Sequence, residues 1–419
     1  MPTASTRRTR HIGLSLGADI CWPIAFEEIL RNAKLELRIG KEVVDFACER
    51  VAIQPFELGA GCKYDVVVDR LTHWFTLQRE WIKKAVLMDG LYVYNNPWSV
   101  QSYTKHSSYC AMIALGMPVP KTLMLPQKSY EPKDDLDYTL RAYARMFDLG
   151  EIGRSVGYPS FMKPYDGGGW QGVSRADDEA GLRDAYEHSD RYLMHVQKAV
   201  DGSDLFVRAI GIGPQVRIIK YVAENPLHER YTTERGFCSA ADERTMVDTC
   251  LTINTFFGWD FNSCEALRRD GVFYPIDFAN PCPDSQINSI HYHWPWYLTS
   301  NLKWAVFTAA TGRAMPRNLD FTPYYAIAKQ DIPYSEKLKG YARIARERLQ
   351  ADEFDAFCKK HLRPLEEAAN AWYRSDRLME AARRKVAHLF PAHEVDEFTE
   401  RFVALVRQSV DDMEKESKS

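Results

Sequence analysis

The stretch that most restricts this chain runs from Ser160 to Arg175, SFMKPYDGGGWQGVSR: an apolar strand with one lysine, three consecutive glycines, then a second strand-like run. Strand formers on both sides put the glycine run in the turn of an antiparallel pair and not at the start of a helix. Two common phosphate-binding patterns are excluded by spacing. Lys163 precedes the glycines, so the run is not G-x-x-x-x-G-K-[ST], and no G-x-G-x-x-G leads into a helix. Glycines lacking Cβ let backbone N–H groups come up to a phosphate and let the loop close as a flap. A lysine on the entering strand adds one positive charge for the same phosphates. Read alone, a plain glycine hairpin with a surface lysine satisfies the stretch as well.

The surrounding chain has 419 residues, enough for two or three domains. MPTASTRRTRHIG at the start reads as a loose basic tail, with no apolar segment behind it. HIGLSLG (His11 to Gly17) reads as a buried strand, and Pro23 suits a helix start. VAIQPFEL and YDVVVDRLTHW read as strands, and FTLQREWIKKAVLMDG as an amphipathic helix closed by Gly90. That alternation defines an open α/β unit. A helix around Lys105 to Leu115 follows, stopped by Gly116, with an extended exit through PVP. LDYTLRAYARMFDLG reads as one helix. Beyond the glycine run, residues 191–225 read as an antiparallel meander of three strands. WDFNSCEALRRDGVFYPIDFANP reads as a hairpin turning at Asp270-Gly271. From about Tyr334 onward the pattern is helical.

A formal net charge of -3 argues against a nucleic-acid duplex as partner. No apolar run reaches the roughly 18 residues of a membrane span. Nine scattered cysteines without a C-x-x-C pair suit a reducing cytoplasm, not a disulfide framework or a zinc site.

Three more stretches carry chemistry. In VQKAVDGSD, Gln197 can face an adenine amine, Lys198 and Val200 can offer main-chain groups, and Asp204 can take ribose hydroxyls; an ordinary strand–turn–strand fits too. In RIIKY, Lys220 sits among apolar neighbours and wants a counter-charge or a path to water. The hairpin carries Glu265 and Asp277 on its two arms, with Asn280 following. Two carboxylates and an amide oxygen make a hard oxygen site of the kind magnesium shares with phosphates.

Taken in order, these features resemble the ATP-grasp superfamily, in particular carboxylate–amine ligases such as D-alanine–D-alanine ligase and glutathione synthetase. YTKHSSYCAMIALGMPVPKT is similar to the segment bearing a nucleotide-contacting lysine, here Lys105. FMKPYDGGGWQGV is similar to the strand lysine and glycine flap, matching Lys163, Gly167, Gly168 and Gly169. VQKAVDGSD resembles the adenine hinge (Gln197, Lys198, Val200, Asp204), IIKY the strand with the third lysine (Lys220), and the hairpin the metal site (Glu265, Asp277, Asn280). The resemblance covers roughly Asp65 to Pro283. It departs at D-F-A-N, one residue longer than the usual hairpin ending, and at Cys264, which falls on the usual aspartate position with Glu265 one step away. Phe261 stands near the usual place of an arginine that steadies an acyl phosphate, and Arg217 is the substitute candidate.

The resemblance implies an α/β (α+β) architecture, an ATP-grasp fold with an N-terminal open α/β domain over 1–104. Two antiparallel-sheet nucleotide-binding subdomains over 105–195 and 196–330 and a helical extension over 331–419 would follow. ATP would lie between the two sheets, with Arg217 and Lys220 as catalytic groups and magnesium, or manganese in its place, on the hairpin. The implied reaction phosphorylates a small-molecule carboxylate and joins it to an amine, releasing ADP and phosphate. Asp284 and Ser285 are the acceptor-site candidates. Partners beyond small molecules would be a second copy of the chain in a homodimer, with no nucleic acid and no membrane. A kinase on the same fold and a non-catalytic ATP-binding regulator remain as alternatives. His291 and His293 alternate as if on one face of an extended segment, and Trp294, Trp296 and Tyr297 read as packing for the C-terminal helices.

Overall fold

In β1 (Thr6–Ser15), β2 (Leu37–Ile39), β3 (Glu42–Arg50), β4 (Val66–Asp69) and β5 (Tyr92–Val93), apolar runs form a five-stranded sheet of order β2-β3-β1-β4-β5. These are drawn from a computed structural model, in which residues 6–17, 19–166 and 171–416 are described. β1 runs parallel to β3 and β4, and β4 to β5, while β2 is antiparallel to β3. Val66, Val67 and Val68 are all fully buried, as expected of a parallel strand covered on both faces. The helix Thr76–Asp89 ends at Gly90, whose φ of 71° is the left-handed cap that glycine adopts without penalty. The open α/β reading therefore holds, with two differences. Of the basic start, residues 1–5 lie outside the described residues, and from Thr6 the chain forms β1, where Arg7 pairs with Asp45 at 2.8 Å and Arg10 with Asp65 at 2.8 Å. Residues 51–58 carry no strand; Pro55 has no N–H to give a ladder, and pairing stops at Arg50.

The chain divides into two compact units. Met1–Ser102, Val207–Cys264 and Asn280–Ser419 form the first, Tyr103–Phe206 and Glu265–Ala279 the second. The second contains a four-stranded antiparallel sheet of β6 (Thr122–Leu125), β7 (Ser160–Pro164), β8 (Ser174–Ala176) and β9 (Met194–Lys198), ordered β6-β9-β7-β8. Met162 and Val196 point into its core with Leu149, Val156 and Leu182. LDYTLRAYARMFDLG forms two helices, Leu136–Tyr143 and Leu149–Val156, instead of one. Asp148 makes the break: its side chain accepts from the Gly150 N–H at 2.7 Å and starts the second helix as a cap.

The expected meander also splits. β9 stays in this sheet, while β10 (Leu205–Ile212) and β11 (Gln215–Lys220) pair with each other. Gly202, at φ 69°, lies in the turn between β9 and β10. β10 and β11 join β12 (Phe261–Arg269) and β13 (Val272–Asn280) in the order β11-β10-β12-β13. Asp270 and Gly271 adopt φ of 51° and 75°, the turn that Asp-Gly favours between strands.

In the first unit the helix Ala240–Phe257 begins with a capping box of Ser239 and Asp242. It packs so closely on β10 that a Cβ on Gly211 would meet the Asn254 amide. The C-terminal helices run from Tyr334–Leu349 to Val395–Glu416. As the aromatic run suggested, Trp294 packs against them, 6.1 Å from Trp372 and 6.0 Å from Tyr373 between ring centres.

Candidate functional site

Alternation along β7 and β9 sends Met162 and Val196 into the core and Lys163, His195 and Gln197 to the opposite face. Lys163 is only 9% exposed. Its ammonium donates to the Tyr109 hydroxyl at 2.8 Å, to the Gln197 side-chain carbonyl at 2.8 Å and to the Ile276 backbone carbonyl at 2.9 Å. All three acceptors are neutral. Burial therefore pushes the Lys163 pKa down to about 8, helped by Lys105 and opposed by Asp277 and Glu265.

Lys105, at the start of the helix Lys105–Ala114, donates to Asp277 Oδ2 at 2.8 Å. Burial works against its ammonium, but Asp277, with Glu265 and Asp166, outweighs burial and holds its pKa above the ordinary value. His195 is register partner to Lys163 and fully buried. Burial, then Lys163, His106 and Lys105, push its pKa down to about 3, so the ring is neutral. Neither ring nitrogen has a hydrogen-bond partner among the described residues. Tyr109 and His195 were not singled out from the sequence. For His195 the signal was present, since it stands two residues before Gln197 on one strand.

Of the four adenine-hinge candidates, Gln197, Lys198 and Asp204 are engaged by protein groups. Gln197 holds Lys163 and donates to Thr122 Oγ1 at 2.8 Å. The Lys198 N–H bonds Lys121 O at 2.9 Å and its ammonium bonds Tyr158 O at 2.5 Å. Val200 is half-buried just beyond Ala199, whose N–H bonds Pro159 O at 3.0 Å. Asp204 takes a two-pronged contact from Arg268, at 3.1 and 2.7 Å. Gly167, Gly168 and Gly169 lie outside the described residues.

Glu265 and Asp277 both act on Lys105 and on Lys163, so both carboxylates address one cluster. No group of three or more His, Cys, Asp or Glu is placed to hold a metal among the described residues. Two hard oxygens fit magnesium nonetheless, because that ion takes one or two carboxylates and completes its shell with phosphates and water.

In the first unit, Lys220 pairs with Glu234 at 2.5 Å. The register sets Arg217 opposite Ile210 and Lys220 opposite Val207, so the two candidates leave β11 on opposite faces. Arg208 shares the face of Arg217 and donates to the Tyr231 hydroxyl. The Asn280 N–H donates to Asn262 Oδ1 at 2.9 Å and its amide to Ser263 O at 3.4 Å. Asp284 accepts from the Gln286 N–H at 3.0 Å, and Ser285 donates to Asp19 Oδ1 at 2.8 Å. Arg70, itself 3.2 Å from Asp19, also donates to Ser285. Asp19 and Arg70 follow the carboxyl ends of β1 and β4, where the strand order reverses and open α/β sheets place their crevices. Neither residue was read from the sequence, since their pairing with residues near 285 is made only by the fold.

The two histidines are a correction. His291 and His293 lie in a tight helical turn and not on an extended segment. Their Nε2 atoms meet the backbone carbonyls of His228 at 3.0 Å and Thr232 at 2.8 Å, so they brace the loop after β11. Burial pushes their pKa values down to about 4 and about 3. A depressed histidine favours the native state above the unfolded value near 6.5 and loses that contribution as pH falls toward the folded one. The Tm advantage of the protein over His293→Gln therefore shrinks between pH 7 and pH 4, read by thermal melts at matched ionic strength.

No helix among the described residues is long and apolar enough to cross a membrane. None of the nine cysteines is joined in a disulfide among the described residues. No family model matches the chain, and no curated protein matches it. Among solved structures it is similar to the D-alanine–D-alanine ligase of Bacillus anthracis complexed with ATP, at 15% identity and a TM-score of 0.46, over 73% of this chain and 97% of that one. It is also similar to the VanG D-Ala:D-Ser ligase of Enterococcus faecalis, at 13% and 0.45, over 81% and 100%. A third likeness is to a RimK domain ATP-grasp protein of Sphaerobacter thermophilus, at 14% and 0.44, over 65% and 92%. At this degree of overlap the likenesses carry no inference about chemistry.

Proposed function

We propose that this chain is an ATP-dependent ligase of the ATP-grasp type, which activates a carboxylate as an acyl phosphate and passes it to an amine. The observation that carries the proposal is the dry ammonium of Lys163, held by three neutral acceptors with the carboxylates of Asp277 and Glu265 nearby. A buried cation kept without a contacting counter-ion is costly unless an anion completes it. A nucleotide phosphate is such an anion, and it would bring the Lys163 pKa back up.

In this reading Lys163 and Lys105 orient the phosphates. Glu265 and Asp277 would hold magnesium, which when bound supplies charge neutralisation on the transferred phosphoryl group. Lys105 then exchanges part of its contact with Asp277 for phosphate. Gln197 keeps Lys163 aimed through its carbonyl while its amide remains tied to Thr122. The substrate carboxylate oxygen attacks the terminal phosphorus and ADP leaves. The amine then attacks the acyl carbon, phosphate leaves, and an amide forms. Catalysis rests on positioning and charge, with no protein nucleophile.

ADP and phosphate release over a panel of carboxylates and amines, with product mass measured, tests this. Release without added amine would indicate a kinase, and nucleotide binding without release on any panel would sink the ligase reading. A pH dependence follows as well. The Lys163 pKa of about 8 lies below the unfolded lysine value of about 10.4, so between those values the folded protein carries the fewer protons. Stability of the nucleotide-free protein accordingly rises with pH across that window, and its cost is fully present below it. Affinity for a non-hydrolysable ATP analogue moves the other way, falling as pH passes 8, and calorimetric titration at pH 7 and pH 9 reads the difference.

A further inference from the structure

Arg217 is half-buried, and its guanidinium lies 4.9 Å over the Trp296 ring. Among the described residues no carboxylate reaches it within ion-pair distance. Burial, and then the neighbouring Arg235, push its pKa down to about 10, opposed by Tyr292 and Glu416. Arg235 in turn lies 5.7 Å over the Tyr292 ring and pairs with Glu416 at the end of the helix Val395–Glu416. The two like charges thus act on one another, and each guanidinium lies over an aromatic ring. The only carboxylate among the described residues that engages Arg235 in an ion pair comes from the last turn of the C-terminal helix.

This arrangement is braced. The segment bearing Arg235 is pinned by the contacts of His291 and His293 to the carbonyls of His228 and Thr232. It is tied again by the bridge between Tyr221 and Tyr231 and by an ion pair of Arg401 with Glu229 at 2.6 Å. The Tyr292 hydroxyl donates to Asp412 at 3.0 Å on the same C-terminal helix. Arg217 and Arg235 are therefore positioned by a scaffold and do not depend on each other's charge for their place. The Arg235–Glu416 pair is exposed, with side chains 40% and 61% accessible. Pairs of that kind contribute little to stability and are exchanged readily for another carboxylate.

We propose that Arg217 and Arg235 form a subsite for a second anionic group on the substrate, a carboxylate apart from the one that is activated, and that Glu416 occupies it until substrate arrives. The proposal rests on the ligase reading above and narrows its substrates to those with an additional carboxylate. Planar guanidinium forks grip carboxylates with two parallel hydrogen bonds, and the rings beneath them shield the forks from water on one side. The C-terminal helix thereby becomes one wall of a substrate pocket.

Succinate and its half-neutral analogue succinamate, titrated into the full chain by calorimetry, test this directly. Loss of one charge-assisted contact predicts that succinate binds about tenfold or more tightly than succinamate. Arg217→Gln and Arg235→Gln each erase that preference, with unchanged melting curves as the control for folding. Glu416→Gln tightens succinate, a gain that a merely structural role for Glu416 would not give. Equal binding of the two ligands, or weaker succinate binding in Glu416→Gln, overturns the proposal. ADP release with monocarboxylates alone and no binding preference would remove this subsite and leave the ligase reading. A clear preference for succinate with no ADP release on any panel would do the reverse.

Discussion

Lys163→Met lowers kcat/KM for ATP-dependent turnover by about 10²–10³-fold, the range seen when one preorganised donor to a transferring group is removed. The loss is expected to come without unfolding. Methionine fills much of the space of the lysine stem, and it removes an ammonium that the fold holds dry at a cost. Against that gain stand the acceptors left behind on Gln197 and Ile276, each costing roughly 1–3 kcal/mol if water does not reach it. The two effects oppose each other, so the melting temperature moves by a few degrees at most while activity collapses. Steady-state kinetics and a thermal melt on the same preparation separate them. A variant that keeps more than a tenth of the activity would show that Lys163 is a structural lysine.

Asp277→Asn has the second large effect, and it acts on two observables. The side chains of Lys105 and Asp277 are 11% and 21% exposed, so their pair lies between the surface and the buried limits. Its loss costs between the ~1 kcal/mol of an exposed pair and the 3–5 kcal/mol of a fully buried one. Activity falls about 10²-fold or more if the carboxylate also holds the metal that neutralises phosphate charge. Asp277 is the foremost group raising the Lys163 pKa, so its removal shifts that lysine further down. The pH at which nucleotide affinity declines then drops below 8. A variant with normal stability and an unchanged pH profile would separate Asp277 from the lysine cluster and would undo the proposed site. Lys105→Met in the Asp277→Asn background measures the coupling, since the double variant should lose less than the sum of the two single changes.

The secondary structure was legible where a local rule governs it. Gly90 closing a helix, Asp270-Gly271 turning a hairpin and the valine run of β4 each follow from backbone preference or burial period within a few residues. Misreadings occurred where a local signal met a competitor. The polar Asp148 cuts a pattern that reads as one helix, and Pro55 ends a run rich in strand formers. The basic start reads as a tail until Asp45 and Asp65 supply the charges that pair with Arg7 and Arg10.

The candidate site divides in the same way. Lys105, Lys163, Gln197, Glu265 and Asp277 all stood out by residue type on apolar strands or at a helix start, and all fall in one unit. Their partners did not stand out. Tyr109 and His195 are ordinary residues in the sequence and become part of the cluster only through the pairing of β7 with β9 and the placing of a helix beside them. Arg217 and Lys220, three residues apart, looked like a pair. Strand alternation sends them to opposite faces, and the register of β10 with β11, which sets Arg217 opposite Ile210 and Lys220 opposite Val207, fixes the separation.

Sequence by itself determined which elements form and which residue types carry charge into apolar surroundings, because propensity, turn chemistry and hydrophobic period act over a handful of neighbours. Tertiary structure alone decided which charges meet. Asp19 with Arg70 and Ser285, and Glu416 with Arg235, are separated by tens to hundreds of residues along the chain. Coulombic and hydrogen-bond energies depend on distance in space and on local burial, and neither is written in the order of the residues.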